Sequence, residues 1–79
     1  MAALKPAIEG LLEDIRSAKP QCQYSAQESR CLAALRSADD YAKRAKAKLR
    51  RSRKGAALSD FYLGARRLGA AIGFSQCRR

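Results

Sequence analysis

The stretch from Ser25 to Lys54 reads SAQESRCLAALRSADDYAKRAKAKLRRSRK, and it carries the strongest fold signal of the chain. Its apolar residues step by four, three, four, three and four positions, the period of one buried helix face. These residues are Cys31, Leu35, Ala38, Ala42, Ala45 and Leu49. Ser25 with Glu28 fits a capping box, and Gly55 fits the residue that follows a helix end. The pattern predicts one helix over residues 25–54.

The segment before this stretch has the same period. Its stripe consists of Leu4, Ile8, Leu11, Ile15 and Ala18. Pro6 lies near the start, where its missing N–H costs little, and Lys19-Pro20 predicts the end, because a residue before proline avoids the α region. We therefore expect a helix over residues 2–18. Two stripes of equal period across a short loop predict an antiparallel helical hairpin.

A third, weaker helix is predicted over residues 58–74, followed by a tail at 75–79. Its stripe would be Leu58, Phe61, Ala65, Leu68 and Ile72, with Ser59 or Asp60 as the cap. Three glycines weaken the segment, since each costs about 1 kcal/mol relative to alanine inside a helix. Two of them form a strip with Ala65 that permits close approach of another helix, namely Gly69 and Gly73.

Composition predicts one small all-α domain over residues 1–79. The chain has 16 alanines and lacks valine, threonine and asparagine, so helix formers dominate. Because alanine buries little apolar area, the core is thin, and we expect the protein to dimerise or to dock on a larger partner. The residues expected in the core or at an interface are Leu4, Ile8, Leu11, Ile15, Leu35, Leu49, Phe61, Leu68 and Ile72.

Positive charge is concentrated in one run. The formal net charge is +10, and the positions 43–54 hold eight basic residues and no acidic one. These are Lys43, Arg44, Lys46, Lys48, Arg50, Arg51, Arg53 and Lys54. Since the second helix outlasts the first, this run is predicted to project beyond the hairpin as a basic rod of about 18 Å. Secondary contacts would come from Arg66, Arg67, Arg78 and Arg79.

A basic block of this kind typically meets a polyanion. The first hypothesis is nucleic acid bound through phosphates without sequence recognition, because no aromatic residue lies inside the run for base stacking. The alternative is a protein–protein module, either an accessory subunit of a larger assembly or a small regulator or inhibitor. An anionic membrane surface ranks third, since the apolar face is narrow. The simplest alternative is a solvated helix end without a partner, but eight uncompensated charges repel one another and destabilise a helix unless something offsets them.

Catalysis is not expected. Histidine is absent, and the three cysteines form no C-x-x-C pair, so no catalytic residue, metal site, cofactor or small-molecule substrate is predicted. Cys31 is expected as a small buried hydrophobe and Cys22 as the better candidate for a reactive thiol. The odd cysteine count favours a reducing compartment, although a bridge such as Cys22 to Cys77 stays open.

No targeting segment is expected. The first 19 residues mix acidic and basic side chains without an unbroken apolar run, unlike a secretory signal. No stretch reaches the roughly 20 apolar residues of a membrane span. The sequence thus predicts a protein of the cytoplasm or another reducing compartment that is neither secreted nor transmembrane.

Overall fold

The computed structural model describes residues 4–76, and within them it contains three α-helices and no strand. Helix α1 spans Leu4–Cys22, α2 spans Glu28–Arg50, and α3 spans Lys54–Ser75. The bundle measures 44 × 16 × 14 Å along its principal axes. The prediction of an all-α protein is confirmed. None of the described helices combines the length and apolar character needed to cross a bilayer.

The first loop lies further along the chain than the sequence predicted. Pro20 is inside the last turn of α1 and does not end it, because its missing N–H removes only one hydrogen bond of that turn. The loop comprises residues 23–27, and the N-cap of α2 is Gln27. Ser25 lies in the loop and accepts a hydrogen bond from the Gln27 N–H, at 3.0 Å. The predicted N-cap at Ser25 is therefore wrong.

Helices α2 and α3 share the most extensive contact in the bundle. They meet at three levels, Cys31 with Ala71, Ala38 with Gly64, and Lys48 with Asp60. Numbers rise along α2 as they fall along α3, so the two helices run antiparallel. Helix α1 makes fewer contacts with either of them and contributes Leu11 and Ile15 to the shared core.

The face that α3 buries differs from the predicted one by about one position along the helix. The structure buries Ala57, Asp60, Gly64, Leu68 and Ala71. Leu58 and Ile72, which the sequence placed on the apolar stripe, are 40% and 41% exposed, so Ile72 is not a core residue. The cause is the alanine face of α2, against which small residues allow a closer approach than large ones. A Cβ built at Gly64 would lie 3.3 Å from the Ala38 carbonyl oxygen, whereas one at Gly69 would meet nothing within 4 Å.

The remaining expected core positions divide into two groups. Ile8, Leu11, Ile15, Leu35 and Leu68 are buried, whereas Leu4, Leu49 and Phe61 are half-buried. Of these three, Leu4 and Leu49 lie at the same end of the bundle, at the start of α1 and the end of α2. The core is thus better closed at the other end.

At that better closed end a disulfide joins Cys22 to Cys31, with 5.5 Å between the Cα atoms. Ser25 is fully buried and its hydroxyl donates a hydrogen bond to the Phe74 carbonyl, which ties the α1–α2 loop to the last turn of α3. We call this region, from Cys22 to Cys31 together with Phe74, the disulfide end. The expectation of a reactive Cys22 thiol is therefore wrong, whereas Cys31 is fully buried as expected and is also bonded to Cys22. Cys77 lies outside the described residues.

Candidate functional site

The basic run does not form a continuous rod. Helix α2 ends at Arg50, and the chain turns before α3 begins at Lys54, so the predicted helix over 25–54 is interrupted. The Ser52 N–H donates to the Leu49 carbonyl at 3.0 Å, and the Arg53 N–H donates to the Lys48 carbonyl at 2.9 Å.

These two bonds form a Schellman motif. Ser52 occupies its left-handed position, with φ of 62°, which a non-glycine residue rarely adopts. Sequence reasoning placed the end at Gly55 because glycine favours that conformation, but Gly55 lies in the first turn of α3. Ser59 and Asp60, predicted as caps of α3, are well inside it.

Three of the eight basic residues are engaged within the protein. Lys43 Nζ lies 2.8 Å from Asp39 Oδ2, and the hydrogen bond and charge of Asp39 raise the pKa of Lys43 above its ordinary value. The Arg44 guanidinium lies 5.7 Å from the centre of the Tyr41 ring, a cation–π distance. Both contacts are on the exposed surface of α2 and use neighbouring residues of the same helix.

The third engaged residue is Lys48, whose Nζ lies 2.6 Å from Asp60 Oδ2. The side chain of Asp60 is 11% exposed and that of Lys48 is 35% exposed. Among the described residues no donor forms a hydrogen bond of good angle with the buried Asp60 Oδ2. The charge of Lys48 therefore compensates this carboxylate. The pair fastens the start of α3 to the end of α2. Sequence reasoning had assigned Lys48 to polyanion binding.

Four exposed cations gather where α2 turns into α3. They are Arg50, Arg51, Arg53 and Lys54, and none of them has an ion pair with a described residue. We call these four residues the basic end. Positions 43–54 contain no acidic residue, and the nearest one in α3, Asp60, is paired with Lys48. The basic end is therefore an uncompensated patch of positive charge.

A groove opens beside the basic end, between the start of α1 and the end of α2. It encloses about 360 Å³ and is lined by Lys5, Ile8, Glu9, Lys46, Leu49 and Arg50. Sequence reasoning expected Lys46 and Arg50 in the site but missed Lys5 and Glu9, which it took for solvated surface. A signal for Lys5 was available in the sequence. Like Lys46, which follows Ala45, Lys5 directly follows a stripe residue, Leu4, and so lies at the edge of the buried face.

The expected secondary contacts are distant from the basic end. Arg66 and Arg67 are exposed on α3, twelve or more residues after Lys54, which corresponds to about 18 Å along the helix. Arg78 and Arg79 lie outside the described residues. The structure thus brings together the residues of the α2–α3 turn but not those of the middle of α3.

Comparisons with known proteins give no relative from which to transfer a function. No protein-family model matches the chain, and neither a curated protein nor a solved structure matches it significantly. Over residues 4–76 no group of three or more histidine, cysteine, aspartate or glutamate side chains is arranged to hold a metal ion. The functional argument therefore rests on the charges and grooves described above.

Proposed function

We propose that this is a non-enzymatic protein that binds nucleic acid through phosphate contacts from its basic end. The observation that carries the proposal is the concentration at the α2–α3 turn of four exposed cations that pair with no described carboxylate. Lysine and arginine side chains that neutralise phosphates release condensed counterions, which favours binding of any sequence. The groove residues Lys5 and Lys46 extend the same positive surface.

The geometry supports a compact footprint rather than a rod lying in a groove of DNA. The cations lie on a turn at one end of a bundle about 16 × 14 Å in cross-section between Cα atoms, which is wider than the roughly 12 Å major groove. Contact with the outer phosphates of a duplex or a hairpin suits this shape. Affinity would then depend on salt and very little on base sequence.

The test is a salt series with a duplex DNA and an RNA hairpin. A variant with Arg50, Arg51, Arg53 and Lys54 all changed to Gln should bind more weakly. The slope of log affinity against log salt should flatten by about 3 to 4, because each lost phosphate contact removes about 0.9 from it. A matched control with the same loss of charge changes Arg16, Lys19, Arg30 and Arg36 to Gln, all exposed and away from the basic end. Equal weakening by both variants would contradict the proposal.

A second candidate function is a protein–protein module, in the form of a homodimer, an accessory subunit or a small regulator. It is supported by α3, which exposes three large apolar or aromatic side chains, Leu58, Tyr62 and Ile72, outside the face that it buries. A helix whose apolar surface extends beyond the face it buries is typically covered by a partner. This candidate gains if the protein binds neither nucleic acid nor anionic vesicles and is a dimer by analytical ultracentrifugation.

The disulfide bears on where such binding would take place. Disulfides persist in oxidising compartments and are rare in the cytosol, so the Cys22–Cys31 bridge removes the cysteine argument for a reducing compartment. Nucleic-acid binding through a surface of this kind does not depend on the compartment, because it needs only exposed cations.

A further inference from the structure

The groove between α1 and α2 at the basic end combines an apolar bottom with charged walls. Ile8, which is 1% exposed, and Leu49, which is half-buried, supply the apolar surface. Lys5 and Glu9 come from α1, and Lys46 and Arg50 from α2. At about 360 Å³ the groove has room for a molecule of the size of one nucleotide.

The charges in this groove are not paired with each other. No ion pair within 4.0 Å joins Lys5, Lys46 or Arg50 to Glu9 or to another described carboxylate. Lys46 is half-buried and has no carboxylate partner among the described residues. Three cations and one carboxylate leave a formal charge of +2 around an apolar surface.

A second groove between the same helices provides an internal comparison. It encloses about 370 Å³ and lies nearer the disulfide end, lined by Ile15, Arg16, Lys19, Leu32, Leu35, Arg36 and Asp39. There Arg16 pairs with Glu13, and Asp39 pairs with Lys43, so neighbouring residues satisfy part of the charge. The first groove instead borders the four unpaired cations of the basic end. The two grooves carry the same formal charge, and Lys19 and Arg36 also pair with no described carboxylate, so the first groove differs by bordering the basic end and by having no described ion pair among its charged residues.

We propose that the first groove binds the terminal nucleotide of a nucleic acid through its phosphate monoester. This inference rests on the proposed function, which supplies the nucleic acid. A phosphate monoester carries a charge of about −1.5 to −2 at neutral pH, which matches the +2 of the groove better than the single charge of an internal phosphodiester. The monoester lies among Lys5, Lys46 and Arg50. The base covers the half-buried Leu49 and stacks on the Arg50 guanidinium plane.

The test compares two single-stranded oligonucleotides that differ only in a terminal phosphate. The wild-type protein should bind the phosphorylated strand roughly tenfold more tightly, the effect of one additional charge-assisted contact. The double variant Lys5→Gln/Lys46→Gln should bind both strands with equal and reduced affinity, and so lose this preference. Equal affinity of the wild-type protein for both strands would overturn the inference.

Two double variants with the same loss of charge act as controls. Arg51→Gln/Arg53→Gln should weaken binding of both strands and keep the preference, because neither residue lines the groove. Lys19→Gln/Arg36→Gln, in the second groove, should leave the preference unchanged. If either control removes the preference as fully as the Lys5/Lys46 variant does, the preference arises from overall charge and the assignment to the groove is wrong.

A titration with adenosine monophosphate separates this inference from the proposed function. The mononucleotide should shift the backbone amide resonances of Lys46 and Leu49, and adenosine at the same concentration should not. If neither oligonucleotide binds but the mononucleotide still produces these shifts, the proposed function fails and the groove is a mononucleotide site. If the mononucleotide shifts neither resonance, the inference fails whatever the oligonucleotides do.

Discussion

At the disulfide end, a covalent bond between Cys22 and Cys31 and a buried hydroxyl–carbonyl contact from Ser25 to Phe74 join all three helices. At the basic end, about 28 Å further along α2, one ion pair and a turn of three residues hold α2 to α3. The basic end also carries cations that repel one another and thereby reduce stability. The difference indicates that the covalent and buried polar links lie at one end of the bundle and the exposed positive charge at the other, so we expect loss of the disulfide to leave the proposed binding intact.

The largest expected effect is loss of the disulfide. Cys22→Ser/Cys31→Ser should lower the free energy of unfolding by about 3 kcal/mol, because the unfolded chain regains the freedom of a short closed loop. Urea unfolding measures the loss, and Cys77→Ser is the control for a change of thiol content. The double variant, kept folded by a lower temperature, should retain the salt-dependent nucleic-acid binding proposed for the wild type. A loss no larger than that of the control would contradict the role given to this end.

Removal of the ion pair at the basic end should have the next largest effect. Lys48→Met leaves the carboxylate of Asp60 buried without a compensating charge, and we expect a loss of about 2 kcal/mol because Lys48 is partly exposed to solvent. Thermal unfolding should show no comparable change for Lys54→Met, because Lys54 is an exposed lysine at the start of α3. Adding Asp60→Leu to Lys48→Met should recover most of the loss. Without that recovery, Lys48 would act through packing and not through charge.

The middle of the bundle, where α2 and α3 approach most closely, offers a matched glycine pair. Gly69→Ala should stabilise the protein by about 1 kcal/mol through helix propensity. Gly64→Ala gains the same propensity, but its Cβ would press on the Ala38 carbonyl at 3.3 Å and on Leu11 Cδ2 at 3.1 Å. We expect it to be less stable than Gly69→Ala by about 1 to 2 kcal/mol in urea unfolding. Equal effects would mean that the two helices are further apart than described.

The α2–α3 turn gives two predictions of the same sign. Ser52→Gly relieves a left-handed serine, and Gly55→Ala improves the first turn of α3, so each should raise the free energy of unfolding by about 0.5 to 1 kcal/mol. If α2 instead continued to Lys54 with Gly55 as the residue after its end, both substitutions would destabilise the protein. Thermal unfolding of the two single variants therefore distinguishes the turn from a continuous helix.

The smallest expected effect concerns Lys43. Its pKa is raised in the folded protein by the hydrogen bond and charge of Asp39, so the contact stabilises the fold below the pKa of the unfolded lysine, about 10.4. This contribution is lost as the pH rises through the folded pKa. Lys43→Gln should reduce the fall in stability on the alkaline side and change little at neutral pH. An unaltered alkaline profile would show that the surface pair contributes nothing measurable.

The sequence was sufficient for the helical class and for the inner faces of α1 and α2, where large side chains or an unbroken period mark the stripe. It was misleading for α3, because a helix that is apolar on two adjacent sides offers two stripes. Large residues favoured Leu58 and Ile72, whereas the alanine face of α2 selects the stripe of Gly64 and Ala71. Which stripe is buried depends on the partner helix, and no single segment contains that information.

The site was predictable in composition but not in shape. The basic run is evident from the sequence, yet its division by the turn at Ser52 depends on a conformation that serine seldom adopts. Lys48 pairs with Asp60 in another helix, and Lys5 and Glu9 of α1 line one groove with residues of α2. Both arrangements depend on positions that are distant in the chain. The disulfide was missed for a related reason, since only the extension of α1 through Pro20 brings Cys22 opposite Cys31.

The order in which the bundle assembles follows from the sequence separation of its contacts. A connection of only three residues lets α2 and α3 meet early, because closing a short loop costs little entropy. Contacts at the disulfide end instead join residues 40 to 49 positions apart, Cys31 with Ala71 and Ser25 with Phe74. In refolding, we therefore expect the α2–α3 turn to form before the last turns of α3 dock on Ser25 and Cys31.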